Sequence, residues 1–541
     1  MATIRQPILR SMARSIVAVG TMAIIAGALA GGFASVAMLA LGMWSGSPTV
    51  AELIAEGISR LVPLEVLEGS VAAMGSSAKR VLFGSVIVGQ IGVAAMLALL
   101  AERHAWSRSR FALVVVVGAL FVGMVVLPLF GAGAFGAATR GGTGWTLASL
   151  ACLGGSLLLG WTLLHRWLNP PGVFAEEDAA GRRALLGNGF FLVAGVALGG
   201  GALRWLADHL APPAVPPVES AAVGRTNAAL AANEDLLEAL AAGVPGLAPE
   251  ITPNERFYVV SKNVFRDPVV DPQGWQLEVV GLVDRPMVLT HDQMRALPGA
   301  EQVFTLQCIS NEIGGELIGN ARWRGIWLAD LLRQSGVQAD AVDVVFHAAD
   351  DYSDSIPIAT ALQPGAMLAY AMNDEPLPAN HGFPMRLLAP DLYGMKNVKW
   401  VTKLEVVPYD YKGYWQRQGW TDVANMHASA RIDVPKPGSY LRVGRNYVGG
   451  VAVAGARGVH RVEVSTDGGQ TWRDATVKPA LGPLAWSLWL ADWDFPADTP
   501  RARILARVTD SAGATQIALA QPTLPDGAMG YHSIEIRAAE R

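Results

Sequence analysis

Apolar positions divide this chain into a half that suits a membrane and a half that suits water. Residues 16–43, 81–100, 111–130, 145–164 and 185–205 run apolar almost without a break. Each is near the ~20 residues that a helix needs to cross a hydrocarbon layer. They predict a five-helix transmembrane region over residues 1–206. The first run exceeds the ~7–15 apolar residues of a cleaved signal, so it reads as a span. Between the first two spans, Leu53, Ile54, Ile58, Leu61 and Val62 recur at helical spacing among Glu52, Glu56 and Arg60. That pattern predicts amphipathic helices lying on the outer membrane surface. Residues 207–250, with the pairs Pro212–Pro213 and Pro216–Pro217, read as a semi-rigid linker carrying a short helix over 227–242.

From residue 251 the period shortens. Residues 275–283 alternate as a strand, and 290–296 read as a short helix capped by Thr290, with Asp292 and Gln293 in its first turn. Residues 303–307 form a strand leading to Cys308, and 327–335 a short amphipathic helix. This mixture predicts an α+β domain over 251–430. Beyond 431 the chain reads as all-β: 459–465 alternates, Thr466-Asp467-Gly468-Gly469 makes a hairpin turn, 471–477 returns, and 486–493 and 501–510 add strands. Short strands over 431–541 predict an immunoglobulin-like β-sandwich, without a cysteine pair.

Charge sets the orientation. Arg5, Arg10 and Arg14 precede the first span. Arg103, Arg108 and Arg110 follow the second, and Arg166, Arg182 and Arg183 follow the fourth. With five spans these clusters share one face, which the positive-inside rule makes cytoplasmic. Lys79 and Arg80 are a minor exception. The chain is thus expected to be an integral plasma membrane protein in contact with lipid, its C-terminal half extracytoplasmic. The spans lack the paired charges that mark a permeation path, which argues against a transporter. His104, His165 and His209 fall at or beyond span ends and no Cys-x-x-Cys-His occurs, so the helices read as an anchor rather than a haem bundle. A net charge of −4 gives no reason to expect nucleic acid. Cys152 and Cys308, the only cysteines, lie in different halves and build no disulfide scaffold.

The motifs carry the chemistry. Thr305-Leu306-Gln307-Cys308-Ile309-Ser310-Asn311, then Gly319-Asn320-Ala321-Arg322-Trp323-Arg324-Gly325, resembles the metal-ligand loop and following helix of the sulfite oxidase family. Residues 350–357 resemble its active-site tyrosine segment, 368–390 and 393–401 its pterin-binding stretch, and 461–472 its C-terminal dimerisation domain. The resemblance implies a molybdenum–molybdopterin cofactor with Cys308 as metal ligand, since a soft thiolate suits such a metal. By the same resemblance His381 and Arg386 bind the cofactor phosphate or pterin, with Asn397, Val398, Lys399 and Asp350 contributing further contacts. Tyr258 and Lys262 are divided between cofactor contact and packing. Tyr352 matches the family's tyrosine beside the metal-oxo group, and Arg457 an arginine that the β-domain lends to the substrate site.

One departure bears on substrate. The family's Cys-Ala-Gly-Asn-Arg-Arg pattern becomes Cys308-Ile309-Ser310-Asn311-Glu312-Ile313, with an acid and an aliphatic in place of cations. A second pocket arginine, in a Phe-x-x-Arg-Asn-His stretch, is replaced by Val260 or Lys262. The expectation is two-electron oxygen-atom transfer on a small oxo substrate, sulfite, a sulfoxide or similar. Its electrons would be exchanged with an external redox protein or quinone, and the resemblance allows a homodimer. The alternative is a non-catalytic cofactor-like binding or sensing module on a membrane anchor.

Overall fold

The structure is a computed structural model that describes residues 5–62, 66, 77–139, 141–168, 235–263 and 266–539. Two compact units emerge: Met1–Ala214 with Asn263–Arg266, and Val215–Lys262 with Asp267–Arg541.

The first unit holds α1 (Arg5–Ser45), α2 (Val50–Leu61), α3 (Ser77–Arg103), α4 (Arg108–Phe121, prolonged to Leu129) and α5 (Gly142–Leu168). Four stretches are long and apolar enough to cross a membrane: Thr21–Ser45, Ala78–Arg103, Arg108–Leu129 and Gly142–Leu163. They overlap the first four expected spans. The fifth, 185–205, lies outside the described residues, as do Arg182, Arg183 and the proline pairs of the linker. Buried Ala26, Ala30 and Ala34 of α1 and Ala94, Ala98 and Ala101 of α3 are small enough for close helix packing. The α4 helix widens into a π turn at Val122–Val126, just before Pro128. Proline lacks the N–H and crowds the carbonyl four residues back, and a π turn relieves both.

The amphipathic α2 corrects one expectation. It starts in a Thr49–Glu52 capping box, but its apolar face meets protein. Val50, Ala51 and Ala55 pack with Met38, Leu39, Phe83 and Leu150 of the neighbouring helices. An apolar stripe of this kind looks the same in sequence whether lipid or another helix covers it.

The second unit begins with α6 (Leu236–Ala242), capped by Asp235. Its Ala239 and Leu240 enter a core with Ile309, Tyr393 and Leu488. The Glu250 carboxylate pairs with Lys478 at 2.6 Å, and its carbonyl accepts from Trp486 Nε1 and Asn320 Nδ2. The last part of the expected linker is therefore fastened into the globular fold.

Strands follow as β1 (Gln276–Gly281), β2 (Met287–Thr290), β3 (Ala300–Gln307), β4 (Ile318–Trp327) and β5 (Asp343–Ala348). Next come β6 (Ser353–Pro357), β7 (Met367–Met372), β8 (Glu375–Pro376), β9 (Arg386–Leu388) and β10 (Val401–Val407). They form two sheets, β2-β1-β10-β5-β6 and β3-β4-β7-β8, with β9 beside β7. The helices α7 (His291–Ala296) and α8 (Leu328–Ser335) bury Met294, Leu328, Leu331 and Leu332 in the core of the first sheet. Thr290 caps α7 in a capping box with Gln293, as its sequence predicts. The expected helix after the cysteine loop is instead a strand, because 319–325 forms most of β4 and pairs along β3.

The C-terminal strands are β11 (Ser429–Val434), β12 (Tyr440–Leu441), β13 (Gly444–Val453), β14 (Val459–Ser465), β15 (Arg473–Asp474), β16 (Thr476–Val477), β17 (Ser487–Phe495), β18 (Arg501–Asp510) and β19 (His532–Ala538). Two sheets, β11-β13-β17-β16 and β12-β19-β18-β14-β15, share a core that includes Val448, Trp489, Val464, Ile504 and Ile536. At the hairpin, Asp467 accepts hydrogen bonds from Ser465, Gln470 and Thr471, and the bonds from Thr471 foremost hold its carboxyl well below the usual range. The returning segment 471–477 is not one strand: β15 pairs with β14, whereas β16 pairs with β17 in the opposite sheet.

Candidate active site

The β3–β4 pairing ends in register Gln307 to Ile318, and the chain leaves the sheet at Cys308. The Cys308 amide donates to the Leu317 carbonyl at 2.9 Å and its carbonyl accepts from Asn311 N, so the loop is pinned on both sides of the sulfur. Asn311 Oδ1 braces the far side by accepting from Leu317 N at 2.8 Å. The thiol itself is buried, with Sγ 3.0 Å from Ser310 Oγ.

Polar atoms without partners gather near this sulfur. Among the described residues, Tyr258 Oη, Gln307 Oε1 and Arg386 Nε are buried and have no hydrogen-bond partner. Such groups cost about 1–3 kcal/mol each when left unmet, so their accumulation marks a place built for a ligand. Gly394 supplies the floor. A Cβ there would stand 2.8 Å from Tyr258 Oη, 3.3 Å from the Gln307 carbonyl and 3.7 Å from Cys308 Cα. Burial, then the nearby Cys308, raises the Tyr258 phenol far above its ordinary value, so it remains a neutral hydrogen-bond donor.

Arg386 heads β9, buried, with Nη1 donating to the His381 carbonyl at 3.1 Å and the guanidinium 5.6 Å over the Trp323 ring. Burial lowers its pKa to about 10, which leaves it charged at neutral pH. His381 is buried, its Nε2 3.2 Å from the Asn254 carbonyl and its ring edge-on to Phe257, which in turn stacks on Tyr258. Lys399 is half-buried, donating to the Asn380 carbonyl and 4.2 Å above the Trp400 ring. Tyr258, Gln307, Cys308 and Arg386 thus offer a thiol, a phenol, an amide oxygen and a buried cation.

This donor set fits a molybdenum–pterin group. Among the described residues, no three His, Cys, Asp or Glu side chains are grouped to hold a metal; the single soft thiolate of Cys308 suits a metal whose other ligands would come from a dithiolene. A polar ring edge and a phosphate would meet the orphaned donors and the Arg386 cation.

Other expected residues have these contacts within the protein. The Asn397 amide is spent on backbone, accepting from Ala389 N and donating to the Leu392 and Tyr393 carbonyls. Val398 fills the core and receives the Leu387 N–H on its carbonyl. Asp350 accepts from Tyr352 N at 3.1 Å, and Lys262 lies 5.6 Å from the Tyr414 ring. Arg457 is held by two carboxylates, Asp391 at 3.1 Å and Asp510 at 3.1 Å, and donates to the Met426 carbonyl. It acts as a strut between 391 and the β-sandwich.

Tyr352 Oη stands 2.8 Å from the Met395 carbonyl, next to Gly394, and 2.9 Å from Asp354 Oδ2. Burial and the Asp354 carboxyl hold the phenol well above its usual range, so it stays protonated. Behind it Lys396, almost wholly buried, donates to Asp354 Oδ1, the Ser355 carbonyl and Asp422 Oδ1 at 2.9–3.0 Å. Sequence reasoning missed Asp354, Lys396 and Gln307. All three lie inside the family motifs, but the unbroken polar run Ser353-Asp354-Ser355 looks solvent-facing in sequence, whereas its three residues are buried.

Burial and the adjacent Arg386 lower the His381 pKa to about 4. An unfolded histidine titrates near 6.5, so the neutral ring contributes stability that is complete above about pH 6.5 and is lost as pH falls towards 4. Unfolding of cofactor-free protein by urea is expected to show a loss of about 3 kcal/mol across that interval. His381→Asn should flatten the dependence; an unchanged slope would remove His381 as its source.

Comparison with known proteins agrees with this geometry. Residues 264–415 match the oxidoreductase molybdopterin binding domain, and 421–537 the Mo-co oxidoreductase dimerisation domain. The mitochondrial sulfite oxidase of Drosophila melanogaster is 34% identical over 313 residues, 48% of this chain and 54% of that protein. Sulfite oxidase of Gallus gallus is 32% identical over 312 residues, 48% of this chain and 67% of that protein. The uncharacterised oxidoreductase YuiH of Bacillus subtilis (strain 168) is 34% identical over 150 residues, 28% of this chain and 74% of that protein. The chain spans about half the length of the mitochondrial sulfite oxidases it matches. With both domains in tandem and two thirds of the Gallus gallus protein matched, the chain belongs to the sulfite oxidase family of molybdopterin oxidoreductases.

Proposed function

We propose that this protein is a membrane-anchored molybdenum-cofactor oxidoreductase that carries out two-electron oxygen-atom transfer on a small oxo substrate outside the cytoplasm. The observation that carries the reading is the gathering of a buried thiol, three buried unpartnered polar atoms and a glycine floor at Cys308. When bound, the cofactor supplies a metal that exchanges two electrons and an oxygen atom. The chain's own residues then have separate tasks. Cys308 Sγ would ligate the metal, Tyr258 Oη and Gln307 Oε1 would orient the pterin, Arg386 and Lys399 would receive its phosphate, and the neutral His381 ring would accept from a pterin N–H. Tyr352, kept protonated by burial and Asp354, is the group through which a proton would be exchanged at the site.

Substrate charge is read from the residues that stand where the family carries cations. Glu312 is exposed and Arg457 faces two carboxylates. A doubly charged anion entering a low-dielectric site needs compensating cations, so a neutral or weakly charged oxo compound such as a sulfoxide fits as well as sulfite. Electrons pass to or from a separate redox protein or quinone. Residues 251–430 form the cofactor domain and 431–541 an immunoglobulin-like sandwich, through which two copies pair. The non-catalytic alternative predicts purified protein without molybdenum or pterin. The present reading predicts stoichiometric metal and dye-coupled turnover of at least one compound in a screen of sulfite, sulfoxides and nitrate.

Four apolar helices in the N-terminal unit are compatible with anchoring. With the fifth span in place, protease added outside intact cells is expected to release the region beyond the linker. Complete protection from outside, with digestion only from the cytoplasmic face, would overturn the orientation.

A further inference from the structure

An unbroken series of hydrogen bonds runs from the buried Tyr352 hydroxyl to the surface. Tyr352 Oη lies 2.9 Å from Asp354 Oδ2, and Asp354 Oδ1 accepts from Lys396 Nζ at 2.9 Å. The same ammonium reaches Asp422 Oδ1 at 3.0 Å, and Asp422 Oδ2 accepts from Lys412 Nζ at 2.7 Å. Lys412 also pairs with Asp410 at 2.6 Å. Side-chain exposure rises along the way, from 1% at Asp354 and 3% at Lys396 to 35% at Asp422 and 61% at Asp410.

Two features distinguish this series from an ordinary buried ion pair. The Tyr352 hydroxyl owns one hydrogen but stands within hydrogen-bond distance of two acceptors, Asp354 Oδ2 and the Met395 carbonyl. A carbonyl cannot return a hydrogen, so both contacts are satisfied together only when Asp354 Oδ2 carries a proton. Moreover, two ammonium groups, Lys396 and Lys412, face three carboxylates, Asp354, Asp410 and Asp422, leaving one negative charge to accept a proton. The groups facing Asp354 are Lys396 Nζ, Tyr352 Oη, Gln416 Nε2 at 3.2 Å and its neighbour Ser355 N, with Asp422 beyond Lys396 and Asp350 and Tyr414 beside Tyr352. Burial pushes the Asp354 carboxyl up against the pull of Lys396, which suits a group that gains and loses a proton.

We propose that Asp354, Lys396 and Asp422 form a relay that carries protons between Tyr352 and solvent. The proposal rests on the oxygen-atom-transfer reading. Oxidation of a substrate with water as oxygen source yields the oxygenated product, two electrons and two protons. The electrons go to the external redox partner; the protons need a path of their own. For each one, starting from ionised Asp354, Tyr352 Oη gains a proton while its original hydrogen passes to Asp354 Oδ2, which gives the protonated carboxyl that satisfies both contacts of the phenol. A carboxyl rotation presents that hydrogen to Lys396, whose ammonium has given one hydrogen to Asp422, and Asp422 releases it to water. One O–H or N–H bond forms for each that breaks, and no electron moves along the relay. In the reductive direction every transfer runs backwards.

Asp422→Asn cuts the relay at its outer end and leaves Cys308, Tyr352 and Asp354 untouched. In full-length protein carrying ¹³C-labelled tyrosine, deuterium exchange at the Tyr352 hydroxyl is expected to slow roughly tenfold or more. In the loaded enzyme kcat should fall by a comparable factor at unchanged KM, with an enlarged solvent isotope effect and recovery in buffers rich in small carboxylic acids or imidazole. Asp422→Glu, which keeps the carboxylate, should restore both rates. Wild-type exchange and kcat in Asp422→Asn would overturn the relay, as would slowing that Asp422→Glu does not repair. Slow exchange in a protein that binds no molybdenum would sustain the hydrogen path and refute the oxygen-transfer reading instead.

Discussion

Cys308→Ser is expected to lower turnover by roughly 10³-fold or more while the protein still folds, inserts and unfolds near the wild-type temperature. The two halves of this expectation have separate origins. Serine matches cysteine in shape, and its hydroxyl can keep the contact that Sγ makes at 3.0 Å with the neighbouring Ser310 hydroxyl. The loop is held by the Cys308 amide and carbonyl and by the Asn311 side chain, none of which changes. Stability should therefore move by no more than about 1 kcal/mol. Activity is different, because a hard alkoxide or neutral hydroxyl cannot replace the charge that a soft thiolate gives to an oxidised metal. Steady-state rates per molybdenum, with thermal unfolding as control, check both halves. Wild-type turnover by the variant would refute the ligand assignment, and loss of folding would make Cys308 a packing residue instead.

The largest effect on stability is expected at Lys396. Its ammonium and the Asp354 carboxylate are both almost fully buried, and Lys396 also serves the Ser355 carbonyl and Asp422. Lys396→Met preserves most of the side-chain volume but strands Asp354 in a low-dielectric site. Removing one member of a buried pair costs about 3–5 kcal/mol, because the remaining charge has lost its compensation. For a unit of this size that corresponds to a fall of roughly 10 °C in Tm. Replacing both members, Lys396→Met with Asp354→Leu, should recover much of the loss, since the penalty comes from the orphaned charge more than from the missing bond. A double variant no more stable than Lys396→Met alone would contradict this account of the pair.

How much of this was legible beforehand differs by level. The strands expected at 275–283, 459–465 and 501–510, the helix expected at 327–335 and the cap at Thr290 follow from spacing and capping chemistry alone, with the first strand found at 276–281 and the helix at 328–335. Cys308 stands out in the sequence by its motif and as the sole cysteine of its half, and the structure buries it where the β3–β4 pairing ends. Periodicity failed where the partner decides the outcome. The apolar stripe of α2 gave no sign that other helices cover it, and the segment 471–477 gave none that it changes sheets. Charges misled in the same way, since nothing in Ser353-Asp354-Ser355 shows that Lys396 lies 42 residues away in sequence and 2.9 Å away in space. Asn397 stands inside a cofactor motif yet spends its amide on the turn that positions Gly394, a role visible only once the backbone is drawn.

The sulfur at position 308 can be observed directly. X-ray absorption at the molybdenum edge of fully loaded protein should report one sulfur ligand more in the wild type than in Cys308→Ser, with the dithiolene sulfurs unchanged between them. Identical sulfur coordination in the two proteins would contradict the assignment and with it the proposed chemistry of the site.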